Sequence, residues 1–260
     1  MARLRPRLRP LIALVAGLAV LATGAVAAYA AQRRDDATIA APPSSEAPTT
    51  TEATTTTTVA PTTEAPTTTE APVPALRRGD GGPEVEALQQ RLFALGYHLP
   101  ALSGTYDDGT AHAVMAFQKL HGLARDGLAG PQTMAALATA GPVAPRYGAG
   151  PHLEVDLAAQ VLVVVDGRGG AVAVDATTGK ASTPTPPGTF AVFRQVDGWD
   201  PGPYGSLYRP KYFNGGIAVH GGPPVIADPA SHGCVRIPDA AIDWLWASGL
   251  AAPGTSVVVA

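Results

Sequence analysis

The period with which apolar positions recur changes along the chain, and each change marks a new segment. Leu11 to Ala31 shows no period: 21 consecutive positions carry no charge, with Arg3, Arg5, Arg7 and Arg9 before them and Arg33 and Arg34 after. Twenty apolar residues at about 1.5 Å each match a bilayer core of about 30 Å. Two fates fit residues 1–37. One is a signal peptide cut after Ala25-Val26-Ala27 or Ala28-Tyr29-Ala30. The other is an uncleaved membrane anchor with its arginine-rich end inside, which the length of the run favours. Either fate places the rest of the chain outside the membrane.

Residues 38–75 are almost entirely Thr, Pro, Ala and Glu, and Thr62-Thr63-Glu64-Ala65-Pro66 returns as Thr68-Thr69-Glu70-Ala71-Pro72. With no aromatics and few large aliphatics, nothing offsets the entropy of ordering, and a disordered linker is predicted. Stretched as polyproline II it reaches roughly 100 Å.

From 76 to 140 the period becomes helical. Val85, Leu88, Leu92 and Leu95 form one stripe, with Pro83 suited to the first turn and Gly96 to the stop. Val114, Phe117 and Leu120 share a face of a second helix that Gly122 ends. Pro131 opens a short third helix carrying Met134 and Leu137. The expectation is a small three-helix all-α domain. His98, His112 and His121 have no common zinc spacing and are read as surface or structural residues.

From 151 to 260 the period shortens to two. Leu153, Val155 and Leu157 alternate with Glu154 and Asp156, predicting a half-buried strand. Val161 to Val165 is continuously apolar, and Ala171 to Val174 follows a glycine break. Thr183-Pro184-Thr185-Pro186-Pro187-Gly188 is a stiff turn ahead of a strand from Thr189 to Val196. Ile217 to Val219 is a short strand ending on His220. Pro238-Asp239 starts a helix with Ile242, Leu245 and Trp246 on one face, closed by Gly249, and Val257 to Val259 is a final strand. This predicts a mainly β domain, a sandwich or barrel with a short helix.

Composition adds the compartment. The net charge is −3, so no basic surface is implied and nucleic acid is not an expected partner. One cysteine in 260 residues excludes an intramolecular disulfide and leaves a free thiol in an exported chain.

That thiol, Cys234, lies in Ser231-His232-Gly233-Cys234-Val235-Arg236, and His220 lies fourteen positions upstream. A thiolate is the reactive form, and an imidazole can take the proton or hold the thiolate as an ion pair. His232 is two positions from Cys234, so on an extended strand both side chains share a face. His220 reaches the thiol only through the fold. Gly233 bares the backbone, and its N–H with that of Cys234 is a candidate oxyanion hole. Arg236 can hold a substrate carboxylate. Spacing leaves one rival open, a zinc site of His220, His232 and Cys234.

Two resemblances narrow this. Leu76-Arg77-Arg78-Gly79-Asp80, Glu84-Val85 with Leu88-Gln89, Leu95-Gly96-Tyr97, Ala116-Phe117-Gln118, Asp126-Gly127 and Gly130-Pro131-Gln132-Thr133 resemble the type 1 peptidoglycan-binding domain over 76–140. Val155-Asp156-Leu157, Gln160-Val161-Leu162, Thr178-Gly179-Lys180, Thr183 to Phe190, Val219-His220-Gly221 and Ser231 to Arg236 resemble an L,D-transpeptidase (YkuD-like) catalytic domain over 151–260. The resemblance implies Cys234 as nucleophile, His220 as proton donor and acceptor, and His232 in support. Arg236, Ser231, Gly221 and Tyr212 are expected against the substrate, Tyr212 reading equally well as a core aromatic, and no cofactor or metal is expected. The resemblance further implies a thioester with a tetrapeptide stem, loss of D-Ala, and a 3→3 cross-link to the side-chain amine of a second stem. Peptidoglycan stems are then donor and acceptor, the polymer binds residues 76–140, and residues 11–31 hold the membrane if uncleaved. An L,D-carboxypeptidase that resolves the thioester with water is the alternative, as is a non-catalytic wall anchor. The chain departs from many members in two places. Only ten residues separate His220 from Ser231, and Arg236 stands where Asn is common.

Overall fold

The computed structural model describes residues 75–260. The leader or anchor at 1–37 and the linker at 38–75, apart from its last residue, lie outside the described residues. Among the described residues, no helix is long and apolar enough to cross a membrane.

Three helices come first: α1 (Pro83–Ala94), α2 (Asp108–Leu120) and α3 (Pro131–Thr139). The predicted α1 stripe, Val85, Leu88, Leu92 and Leu95, is buried, as are Val114 and Phe117 of α2. Asp107 caps α2, its carboxylate accepting from the Thr110 amide at 2.8 Å. Gln118 ties the loop after α2. Its Nε2 donates to Asp126, Leu128 and Thr133, and its Oε1 accepts from the amides of Asp126 and Gly127. Of the two apolar residues read onto α3, Met134 is 39% exposed, and only Leu137 and Thr133 of that helix are buried.

The remainder is two sheets and one helix. The first sheet contains β1 (His152–Asp156), β2 (Val161–Val165), β3 (Ala171–Asp175), β4 (Gly188–Ala191) and β10 (Ser256–Val259), in the order β3-β2-β1-β10-β4. Only the β1–β10 pair is parallel. The second contains β5 (Arg194–Gln195), β7 (Gly205–Asn214), β8 (Ile217–Gly221) and β9 (Val235–Arg236), in that order, with β6 (Trp199–Gly202) also paired to β7. Helix α4 (Asp239–Ser248) packs Ile242 and Leu245 into the core between the sheets.

The continuous apolar run of β2 has a clear cause: both of its faces are covered. Leu162 and Val164 join the core with Val219, Val235 and Ile242, whereas Val161, Val163 and Val165 join the core of α1 and α2. The helical and β regions therefore share one apolar seam. Gly96 and His98 extend it by pairing with the edge strand β3: the Ala173 amide donates to the Gly96 carbonyl at 2.8 Å, and the His98 amide to the Ala173 carbonyl at 2.9 Å. Gly96 has φ +86°, and a Cβ there would lie 2.6 Å from the Ala171 carbonyl oxygen.

Two expectations are corrected, and one strand is added. Thr189 to Val196 is not one strand. The chain leaves the first sheet after Ala191, buries Val192 and enters the second at Arg194, so β4 and β5 belong to different sheets. Glu154, expected on an outward face, is buried because the amides of Arg146 and Tyr147 and His152 Nε2 all donate to or meet its Oε1 within 3.0 Å. The ten-residue β7 goes unread because Pro210 interrupts its pattern. It survives through a bulge between Tyr208 and Lys211, where Arg209 takes φ +51° and bonds Asp197 and Asp243.

Candidate active site

The site is built where β8 and β9 run side by side. Their parallel register sets Val219 opposite Val235 and His220 opposite Arg236, and Cys234 stands one residue ahead of β9. Residues sixteen apart in sequence thus become one sheet spacing apart, and Cys234 lies just ahead of the strand beside His220.

The loop that carries Cys234 is not extended. Gly233 has φ +111°, so His232 and Cys234 do not project from a common strand face. Ser231 closes the loop on itself: its hydroxyl donates to the Cys234 carbonyl at 2.5 Å and accepts from the Gly233 amide at 3.1 Å. Two consequences correct the sequence reading. The Gly233 N–H is already engaged and is not free to serve an oxyanion, and Ser231 spends its hydroxyl on the loop.

The proline-rich turn braces this loop from outside. Thr185 Oγ1 donates to the Gly233 carbonyl at 2.8 Å and accepts from the Gly179 amide at 2.9 Å. Thr183 Oγ1 and the Lys180 amide both donate to the Ser231 carbonyl. A Cβ on Gly179 would meet the Thr183 carbonyl oxygen at 2.3 Å, so Thr178-Gly179-Lys180 packs this way only with glycine at its centre.

His220 is 1% exposed. Its Nδ1 lies 2.7 Å from the Gly221 carbonyl oxygen, an acceptor only, so Nδ1 carries the hydrogen and Nε2 is left with the lone pair. Asp239, at the start of α4, fixes the next residue by accepting from the Gly222 amide at 2.6 Å. Burial pushes His220 down to about 4; the Arg236 charge adds to this, and the Gly221 carbonyl and Asp239 oppose it. Burial likewise raises the Cys234 thiol, against the opposing Ala218 amide and Arg236. Both shifts favour neutral forms. Cys234 Sγ lies 3.8 Å from the Gly216 carbonyl oxygen.

A cavity of about 320 Å³ opens here, lined by Cys234, His220, His232, Ser231 and Arg236 together with Gly216, Ile217 and Pro223. Its other wall is the β6–β7 hairpin, Gly202 to Leu207. Tyr204, 72% exposed, stacks on His232 with ring centroids 4.4 Å apart and planes 3° apart. His232 is exposed, with Nε2 3.5 Å from Lys180 Nζ. No carboxylate lies within ion-pair distance of the Arg236 guanidinium among the described residues.

The cavity wall does not include Tyr212 or Gly221. The Tyr212 hydroxyl donates to Asp200 at 2.7 Å and its ring lies 4.0 Å under Arg194. Gly221 is packed against α4, where a Cβ would lie 2.5 Å from Asp239 Oδ1. Both are thereby structural neighbours of the cavity. The three-ligand metal arrangement allowed by spacing does not form: among the described residues no three His, Cys, Asp or Glu side chains group as ligands. The hairpin at Gly202 to Leu207 was missed from sequence. Its signal was Pro201-Gly202-Pro203-Tyr204-Gly205, a turn carrying a single aromatic.

The family profile of the L,D-transpeptidase catalytic domain (YkuD) matches residues 150–259, and that of a putative peptidoglycan binding domain matches 81–137. The crystal structure of an L,D-transpeptidase from Xylanimonas cellulosilytica is 45% identical, with TM-score 0.67, over 74% of this chain and 100% of that one. The N-acetylmuramoyl-L-alanine amidase CwlL of Bacillus licheniformis is 47% identical over 68 residues, 25% of this chain. CwlM, an amidase of Mycobacterium tuberculosis, is 39% identical over 56 residues, 22% of this chain. The chain spans only 19% and 14% of the length of these two curated relatives. A likeness of 45% identity that spans the whole of that L,D-transpeptidase chain and 74% of this one places the chain: it belongs to the L,D-transpeptidase family, with a peptidoglycan-binding domain ahead of the catalytic domain.

Proposed function

We propose that the protein cross-links peptidoglycan stem peptides by 3→3 linkage through a thioester on Cys234, acting outside the membrane at the cell wall. The observation that carries this reading is the meeting of Cys234, His220 and Arg236 on the wall of one cavity.

The chemistry follows from the protonation states. Cys234 starts as a thiol and His220 as an imidazole with its lone pair on Nε2. As Sγ attacks the carbonyl carbon of the third stem residue, its proton passes to Nε2. The Gly221 carbonyl holds the imidazolium through Nδ1–H. Collapse of the tetrahedral intermediate breaks the peptide bond, and Nε2–H protonates the departing D-Ala amine. The acceptor stem's side-chain amine then attacks the thioester and gives its proton to Nε2, and Nε2–H passes that proton to the departing Sγ, restoring the Cys234 thiol and the neutral imidazole. The Cys234 amide is the proposed oxyanion donor in place of Gly233. Arg236 takes the D-Ala carboxylate, and His232 supports the cavity wall through Tyr204. The helical region holds the polymer, and residues 1–37 export or anchor the chain.

The test is incubation of the protein with a disaccharide-tetrapeptide and product identification by mass. A dimer lacking one D-Ala supports transpeptidation. A tripeptide alone replaces it with L,D-carboxypeptidase action, and no reaction leaves a wall-binding protein. Cys234→Ala should abolish the thioester, and exchange at the wild-type rate in that variant would overturn the mechanism.

A further inference from the structure

One lysine crosses from the helical region into the β region. Lys119, the penultimate residue of α2, has a fully buried side chain. Its Nζ lies 2.5 Å from Asp175 Oδ1, 2.8 Å from the Ala176 carbonyl, 3.2 Å from the Ile226 carbonyl and 3.3 Å from the Gln160 carbonyl. Four oxygens thus share three N–H donors. His112, also on α2, meets the other oxygen of Asp175 at 2.7 Å.

Ile226 is the informative partner. It lies midway in the segment 222–230, whose flanks are His220-Gly221 and Ser231, and whose Pro223 lines the cavity. Thr177 clasps the same residue, donating from Oγ1 to the Ile226 carbonyl at 2.8 Å and accepting from the Ile226 amide at 2.7 Å. The Thr177 backbone in turn exchanges both hydrogen bonds with Arg236, each at 2.9 Å. A second side chain from the helical region, Arg125, donates to the neighbouring Ala227 carbonyl at 3.3 Å and to the Ala158 carbonyl at 3.1 Å.

We propose that Lys119 and Arg125 are positioning residues for the loop 222–230, so that the peptide-binding cavity takes its shape only with the helical region docked. The loop is short and its prolines and alanines offer few side chains to hold it. Its backbone carbonyls are held instead by the Thr177 hydroxyl and by two cations from another region. The helical region then does two things: it meets the wall, and it completes the wall of the catalytic cavity. The kinetic part of this inference rests on the proposed function; the structural part does not.

The full chain carrying Lys119→Met, which keeps the length of the stem and removes the charge, is compared with the wild type. Three readouts are taken: hydrogen exchange of peptides spanning 222–230, KM and kcat for a tetrapeptide donor, and the rate of Cys234 alkylation by iodoacetamide. The expected result is exchange at least tenfold faster in 222–230 and KM at least fivefold higher, with kcat and alkylation within twofold. A folded variant with loop exchange or KM within twofold of wild type overturns the inference. If Lys119→Met does not fold, Arg125→Gln decides the matter, since it removes two rim hydrogen bonds and empties no core. Exchange at 226–228 should rise at least threefold, and an unchanged rate overturns the inference. If the wild type turns over no donor, the proposed function fails, and the exchange measurement alone decides whether Lys119 and Arg125 hold the loop.

Discussion

Lowering the pH from 7 to 4.5 begins to put a charge on His220, and both its reactivity and the stability of the fold should report it. Burial holds His220 at about 4 and raises Cys234 above the ordinary thiol range. At pH 7, three units above that value, roughly one His220 in a thousand is charged, a cost of about 4 kcal/mol at about 1.4 kcal/mol per unit. The resting site is therefore a neutral pair. Iodoacetamide reads this directly, because only the thiolate reacts. Followed by intact mass, the alkylation rate of Cys234 should climb about tenfold per pH unit from pH 5 to 8 with no plateau, and His220→Gln should show the same slope. A plateau below pH 7 that disappears in His220→Gln is the mark of a thiolate–imidazolium pair and refutes the reasoning.

The same shift is a stability statement. The unfolded histidine titrates near 6.5, above the folded value, so between the two the unfolded chain binds more protons. The stability that neutral His220 contributes is fully present above about pH 6.5 and is lost as pH falls towards 4. Between pH 7 and 4.5 the wild type should lose about 2.5 kcal/mol more than His220→Gln in denaturant unfolding. Equal losses would show that His220 is not held neutral by the fold. His98, also pushed down to about 4 by burial, titrates in both proteins and cancels in the difference.

Two further substitutions test the packing around the site and the shared seam. Gly221→Ala would place a Cβ 2.5 Å from Asp239 Oδ1 and 2.9 Å from Ile242 Cγ2. It should cost about 1–3 kcal/mol in thermal unfolding and slow Cys234 acylation by displacing the carbonyl that orients His220; a neutral effect on both would refute that packing role. Gln118→Leu strands the amides of Asp126 and Gly127 and the Leu128 carbonyl, and should cost about 2–4 kcal/mol. Because α2 shares its core with β2, helical and β signals should melt in one transition in that variant, and two separate midpoints would contradict the shared core.

The helices were legible because their signals are local. The Val85-Leu88-Leu92-Leu95 stripe, Pro83 and Gly96 act within a few residues of one another, and all four apolar positions are buried. Cys234 and His220 were legible as candidate chemistry and line one cavity, and their catalytic pairing is the proposal made above. The Gly233 amide was misassigned because its engagement depends on how Ser231 folds back across φ +111°, which residue identities do not encode. Tyr212 was misplaced for a similar reason: its hydroxyl meets Asp200 only once β6 and β7 pair.

By itself the sequence determined what short-range physics controls. This covers the three helices, the fully apolar β2, and a lone thiol among glycine and histidine. Tertiary structure decided what depends on long-range register. It turned the continuous run of β2 into the common floor of two cores, and it split Thr189 to Val196 between two sheets. It chose His220 over the nearer His232 for burial, because parallel pairing of β8 with β9 brings position 220 beside 236. Lys119 shows the division most plainly. On a helix a lysine reads as solvated, and only the approach of Asp175 and three carbonyls from distant segments makes burying its charge tolerable.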